Sequence, residues 1–187
     1  WNPGTEQEIF TMDELIAAFT IDRVGKSGSR FDPEKAKWFN TRYFHMKTDE
    51  ELADLFMPLV KEKGFSPGRD TLVRIISLVK ERAGFVKDLW HEADFFFVAP
   101  EKYDQEVVRK RWNADSPMQM RELHDVVAGV EPFTSETLEK RVKEWIAGSP
   151  YNTGTLLNLF RLLIVGESRG PHLFDIIELT GKDETLR

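Results

Sequence analysis

Helix start and stop signals recur along this chain so closely that little except a succession of short helices fits between them. Thr11-Met12-Asp13-Glu14 and Thr48-Asp49-Glu50-Glu51 are capping boxes. In each, a hydroxyl and a carboxylate three residues apart satisfy backbone amides that a helix start leaves unpaired. Asp32-Pro33 is a third start, with Asp as cap and Pro at the first helical position, where its missing N–H costs nothing. Behind these starts apolar residues return at helical spacing: Leu15, Ile16, Ala18 and Phe19; Trp38, Phe39, Tyr43 and Met46; Leu52, Leu55, Phe56, Leu59 and Val60. Gly64 ends the third of these helices. No segment alternates with period two over a useful length, and no hairpin dipeptide separates two apolar runs.

The same pattern continues downstream. Ser66-Pro67-Gly68 is a turn, and Leu72, Ile75, Ile76 and Val79 form an apolar face that breaks near Gly84 and resumes through Leu89, Trp90 and Ala93. Phe95-Phe96-Phe97-Val98 is the one strand-like run, but it is short and ends at Pro100, so it reads as a buried helix end. Further helices are expected at about 104–112, 117–129, 135–147, 153–165 and 172–180. Thr134 caps one, Pro117 and Pro171 open two, and Gly148, Gly166 and Gly181 close three. The expected fold class is all-α. Polarity rises between Pro100 and Ser116, which divides the chain into helical subdomains at 1–103 and 104–187.

Composition narrows the function. With 14 Phe and 5 Trp among 187 residues, the chain has the apolar material for a packed core. No uninterrupted apolar stretch reaches the roughly 18 residues of a membrane span. The absence of cysteine removes disulfide scaffolds, thiolate zinc sites and cysteine nucleophiles. His45, His91, His124 and His172 are spread evenly, so no local metal cluster is expected. Gly25-Lys26-Ser27 resembles the tail of a phosphate-binding loop, but Thr20 stands where the leading Gly belongs. The run from Gly25 to Arg30 reads instead as a flexible basic loop. No catalytic constellation is present, and the net charge of −6 argues weakly against a general nucleic-acid coat. Basic residues nevertheless cluster locally: Arg69, Arg74, Lys80, Arg82 and Lys87; Arg109, Lys110 and Arg111; Arg30, Lys35, Lys37 and Arg42 around Trp38 and Tyr43. For most of these a solvated helix face is the simpler reading.

Three stretches resemble one known family. Trp1 through Thr11 is similar to the segment that follows the catalytic half of bacterial glutamyl-tRNA synthetases. Phe31-Asp32-Pro33-Glu34-Lys35 with Trp38, Asn40 and Tyr43 resembles a signature of that family. Arg161 to Gly166, Gly170-Pro171-His172-Leu173-Phe174 and Leu179-Thr180-Gly181-Lys182 resemble its closing motif. Ala36, Val86 and Thr180 depart from the family pattern, each at a position where Leu is usual. The nucleotide-binding motifs of the catalytic domain are missing, so the resemblance implies a C-terminal, tRNA-binding portion of a class I aminoacyl-tRNA synthetase.

That resemblance implies a helical anticodon-binding cage: residues 1–103 hold the end of the stem-contacting region and a first helical anticodon-binding subdomain, and residues 104–187 a second. It places the chain in the cytoplasm, with tRNA(Glu) as partner, a catalytic domain in cis, and neither DNA nor membrane. ATP and Mg²⁺ serve the full enzyme, and no cofactor belongs to this portion. By the same resemblance, Arg82 reads the third anticodon base, and Arg161, Gly170, Pro171 and Leu173 form the pocket for the first two. Lys35, Asn40 and Arg30 approach the tRNA backbone. The chemistry suits those roles: unpaired cytosine offers adjacent acceptors at N3 and O2, matching the parallel donors of a guanidinium. Gly170 lets backbone approach a base closely, and Pro171 and Leu173 offer an apolar wall. Two other classes stay open at this level: a helical protein–protein scaffold, and a self-contained all-α enzyme.

Overall fold

The computed structural model describes residues 1–25, 28 and 30–187. Among them the secondary structure is entirely helical. The chain forms α1 (Met12–Ala18), α2 (Pro33–Met46), α3 (Asp49–Glu62), α4 (Arg69–Val79), α5 (Asp88–Ala93) and α6 (Gln105–Arg111). It continues with α7 (Ser116–Ala128), α8 (Ser135–Ala147), α9 (Thr153–Val165), α10 (Leu173–Thr180) and α11 (Lys182–Thr185). Short 3₁₀ turns stand at Ile21–Arg23, Lys80–Arg82 and Asp94–Phe96. The basic loop expected over residues 25–30 lies partly outside the described residues, which include only Gly25, Gly28 and Arg30 of it.

Local chemistry sets the helix starts. Both capping boxes are closed in full, at Thr11 with Glu14 and at Thr48 with Glu51. Asp32, Thr134 and Asn152 accept from amides three residues on, each worth about 1 kcal/mol over alanine. Two details differ from the sequence expectation. Pro171 does not open α10; His172 is its cap, and Pro171 stays in the turn before it. Residues 95–98 are not a buried helix end, because the helix tightens into a 3₁₀ turn there. Phe96 and Phe97 pack on the core only in part, and Val98 is left 42% exposed.

Two apolar clusters hold the helices together. The first takes Phe44 from α2, Leu52, Phe56 and Val60 from α3, Leu72, Ile75, Ile76 and Val79 from α4, and Leu89 and Ala93 from α5. The second takes Leu123 and Val127 from α7, Leu138, Val142 and Ile146 from α8, Leu156 and Phe160 from α9, and Leu173, Phe174 and Ile177 from α10. Each fully buried side chain contributes roughly 1.5–3 kcal/mol. Helix α10 serves both clusters, since Leu179 near its C-terminus packs against the first. The N-terminal segment is different. Eleven of the fifteen large hydrophobic side chains left exposed among the described residues fall within 1–46, and α1 buries none of its residues.

Candidate functional site

A cleft of about 510 Å³ opens where the 3₁₀ turn after α4 meets the loop joining α9 to α10. Arg82, Trp90, His91 and Phe95 line one side, and Arg169, Gly170 and Pro171 the other. Each wall has a local cause. Arg82 ends the 3₁₀ turn that prolongs α4, and the following loop is folded back by Asp88, whose carboxylate accepts from the amides of Gly84 and Phe85 at 3.2 and 2.9 Å. On the facing side Gly166 ends α9 in the left-handed conformation, which lets residues 167–171 turn back over the helix end.

Arg82 and Arg161 meet at Gly170. The Arg82 Nη2 donates to the Gly170 carbonyl at 2.8 Å, across 88 positions of sequence. Arg161, from α9, lies beneath the same glycine: a Cβ there would stand 2.9 Å from its Nη1. Gly170 has φ +150, a conformation that favours glycine, and a side chain there would also have to displace the Arg161 guanidinium. Arg161 Nη1 is buried and has no hydrogen-bond partner. Burial first, and the Arg82 charge second, press the Arg161 guanidinium below its usual range. Two cations side by side, one with a buried unsatisfied donor, make a local concentration of positive charge at Gly170 that suits an acceptor-rich planar group beside Arg82. Arg161 itself stays behind the cleft wall, whose lining also carries Glu92, Asp94, Glu101 and Glu167. No ion pair of Arg82 with Glu81 or Asp88 takes up that charge, since Asp88 is engaged by backbone amides.

The other predicted residues fall elsewhere. Leu173 is not part of the cleft wall: it is 5% exposed in the second core, because the first turn of α10 points it inward. It cannot offer a face for stacking. Pro171 borders the cleft but is itself buried. Lys35 pairs with Glu8 at 2.6 Å and lies 5.6 Å from the centre of the Phe39 ring. Asn40 donates to the Gly84 carbonyl at 2.6 Å, and His45 contacts the Ala83 carbonyl at 2.9 Å. Both therefore pin α2 to the loop that follows Arg82. Arg30 is exposed ahead of α2.

Sequence reasoning gave Trp90, His91 and Phe95 no binding role and passed over Lys102 and Arg169, all of which line the cleft. Trp90 forms a stacked pair with Phe97, with ring centres 5.7 Å apart, and Lys63 sits 5.5 Å from the Trp90 ring centre. Arg169 directly precedes Gly170, and a basic residue beside the glycine of a turn was the available signal. Asp94 also lines the cleft, and its burial raises its carboxyl above the usual range, an effect that His91 partly opposes. Among the described residues no three His, Asp or Glu side chains converge as a metal ion requires. No helix among the described residues is long and apolar enough to cross a membrane.

The family model described as "Anticodon binding domain" matches residues 51–187. The glutamate–tRNA ligases of Bacteroides thetaiotaomicron and Bacteroides fragilis are 48% and 49% identical over 186 residues, covering 100% of this chain and 37% of each relative. Among solved structures, a glutamate tRNA ligase from Elizabethkingia meningosepticum in complex with its amino acid superposes with a TM-score of 0.90 at 34% identity. It covers 100% of this chain and 37% of that one. A glutamate–tRNA synthetase from Elizabethkingia anophelis gives 0.86 at 34% identity, with 36% of that chain covered. The chain thus spans little more than a third of the length of these relatives.

Proposed function

The chain belongs to the anticodon-binding domain family, and from that premise we propose that it recognises the anticodon of tRNA(Glu) as part of a longer glutamate–tRNA ligase. The observation that carries this reading is the meeting of Arg82 with Gly170 in the wall of an open cleft, with the Arg161 guanidinium buried directly behind that glycine. One Arg82 amine is spent on the Gly170 carbonyl, which aims the guanidinium and leaves its other donors for a ligand. Cytosine presents N3 and O2 to those donors, whereas guanine and uracil carry an N–H at the matching place. Phe95 supplies aromatic surface for stacking, in the role the resemblance gives to Pro171 and Leu173.

Catalysis belongs to the remainder of the ligase, which would use ATP and Mg²⁺ to activate glutamate and transfer it to tRNA. The exposed apolar residues within 1–46 support a covalently attached neighbour packing on that face. A division at 1–103 and 104–187 is part of the same reading, supported by the two separate core clusters.

Arg82→Gln tests the proposal. A bidentate base contact gives about 1–3 kcal/mol of discrimination, so the variant should lose roughly tenfold or more of the preference for cytosine over guanine at the third anticodon base. The measurement is binding, or charging by the longer ligase, of two transcripts that differ only there. Equal losses on both transcripts would make Arg82 a general contact.

Salt dependence supplies a second check. Binding should weaken steeply with salt, because phosphate contacts release counterions. Lys35→Gln should flatten the slope of log affinity against log salt by about 1 while weakening all tRNAs alike. An unchanged slope would confine Lys35 to its pairing with Glu8.

A further inference from the structure

Helix α4 with its 3₁₀ extension and the segment from Gly170 through α10 run antiparallel and touch at two places. At the cleft, Arg82 holds the Gly170 carbonyl. Eight residues back along the first rod and eight forward along the second, Arg74 Nη2 meets Glu178 Oε1 at 2.5 Å. The other oxygen of Glu178, Oε2, accepts from the backbone amide of Ser135, the first residue of α8, at 2.7 Å. Ser135 Oγ in turn donates to Asp175 Oδ1 at 2.5 Å, one turn before Glu178 on α10.

We infer that Glu178 is a positioning residue for anticodon selectivity, clamping α10 between α4 and the start of α8 so that Gly170 stays within reach of Arg82. The inference rests on the anticodon-recognition reading. Glu178 touches neither cleft wall, so it acts only through the rods it joins. An exposed ion pair alone would contribute little. Glu178 is better placed than that, because its side chain is only 24% exposed and its second oxygen accepts an amide hydrogen bond. The Ser135 amide and the Arg74 guanidinium accordingly hold its carboxyl below the usual range, against burial and the neighbouring Asp175. Both cores meet at this point: Arg74 projects from a helix of the first, Ser135 opens a helix of the second, and Leu179 beside Glu178 packs back on the first.

The chain lacks cysteine, so labels can be placed at will. Spin labels on Glu81→Cys, beside Arg82 in the 3₁₀ turn, and on Glu167→Cys, in the loop after α9, report on the two sides of the cleft, and pulsed dipolar spectroscopy reads their separation without tRNA. The parent should give one narrow distance, and Glu178→Gln a broader and longer distribution. In tRNA binding, Glu178→Gln should cut discrimination at the third anticodon base about threefold to tenfold, the scale of one charged hydrogen bond. Affinity for a tRNA with an unrelated anticodon should stay within about twofold. Arg74→Gln should behave the same, and the double variant should be no worse than the worse single one, as expected for partners in one contact. A lowered unfolding midpoint with unchanged distances and unchanged discrimination would reduce Glu178 to a stabilising residue and overturn the proposal. Failure of the unaltered chain to discriminate at all would overturn the anticodon reading, and an unaltered distance in Glu178→Gln would separately overturn the clamp.

Discussion

Gly166→Ala should destabilise the chain by about 2–4 kcal/mol, combining the left-handed backbone penalty of roughly 1–2 kcal/mol with an overpacking penalty of similar size. Gly166 has φ +84 and ψ −14 at the end of α9. A Cβ there would lie 2.8 Å from the carbonyl oxygen of Lys102 and 2.9 Å from the Pro100 Cβ. Neither atom is the end of a flexible side chain, so backbone has to move. The Gly166 carbonyl also accepts from the Asp104 amide at 2.8 Å, ahead of α6, and that bond would be disturbed with it. Pro100 and Lys102 line the same cleft as Gly170, so the variant should lose anticodon selectivity together with stability. Urea unfolding checks the first effect and paired transcripts the second. A change below about 0.5 kcal/mol, the range of an ordinary surface substitution, would mean the loop over residues 100–102 gives way freely.

Phe56→Ala should cost about 3–5 kcal/mol, because the removed ring leaves a cavity that rigid neighbours only partly fill. Phe56 is fully buried between helices α3, α4 and α5 in the first cluster. The loss should be local. Hydrogen exchange should quicken in α3, α4 and α5, and also at the C-terminal end of α10, where Leu179 leans on that cluster. Protection in α7, α8 and α9 should change little. Uniform loss of protection over both clusters would show one cooperative unit and remove the division near residue 103.

Lowering the pH bears on the same contacts with a definite sign. Glu14, Glu139 and Glu178 have carboxyls held below the usual range, by Thr11, by Lys143 and by Ser135 respectively as the largest influence. Their contribution is complete above the ordinary carboxylate pKa and is lost as pH falls through the depressed values. Asp94, raised by burial, acts in the opposite sense and favours the fold when protonated.

The helices were legible because their causes are local. A capping box involves two residues three apart, and an apolar stripe repeats every turn, so Thr11, Thr48, Thr134, Gly148 and Gly166 mark helix ends without knowledge of any other part of the chain. The family motifs were equally legible, and Arg82, Arg161 and Gly170 carried through to one place. Their contact was not. Arg82 and Gly170 are 88 positions apart, and only the packing of α10 against two cores brings them to 2.8 Å. The same packing turned Leu173 inward, away from the role the motif suggested, because the rotation of α10 about its axis is set by what its neighbours bury. Lys35 and Asn40 show the limit from the other side. Their residue types suit a phosphate contact, yet Glu8 and the Gly84 carbonyl stand within reach of them. What the sequence by itself determined is where most of the helices begin and end and which family its motifs resemble, since both depend on near neighbours in the chain; Pro171 and residues 95–98, whose place depends on packing, are where it went astray. Which charged side chains are left facing the cleft, and which are spent holding it, was decided only in three dimensions, because a side chain's partners are whatever the packed cores place beside it.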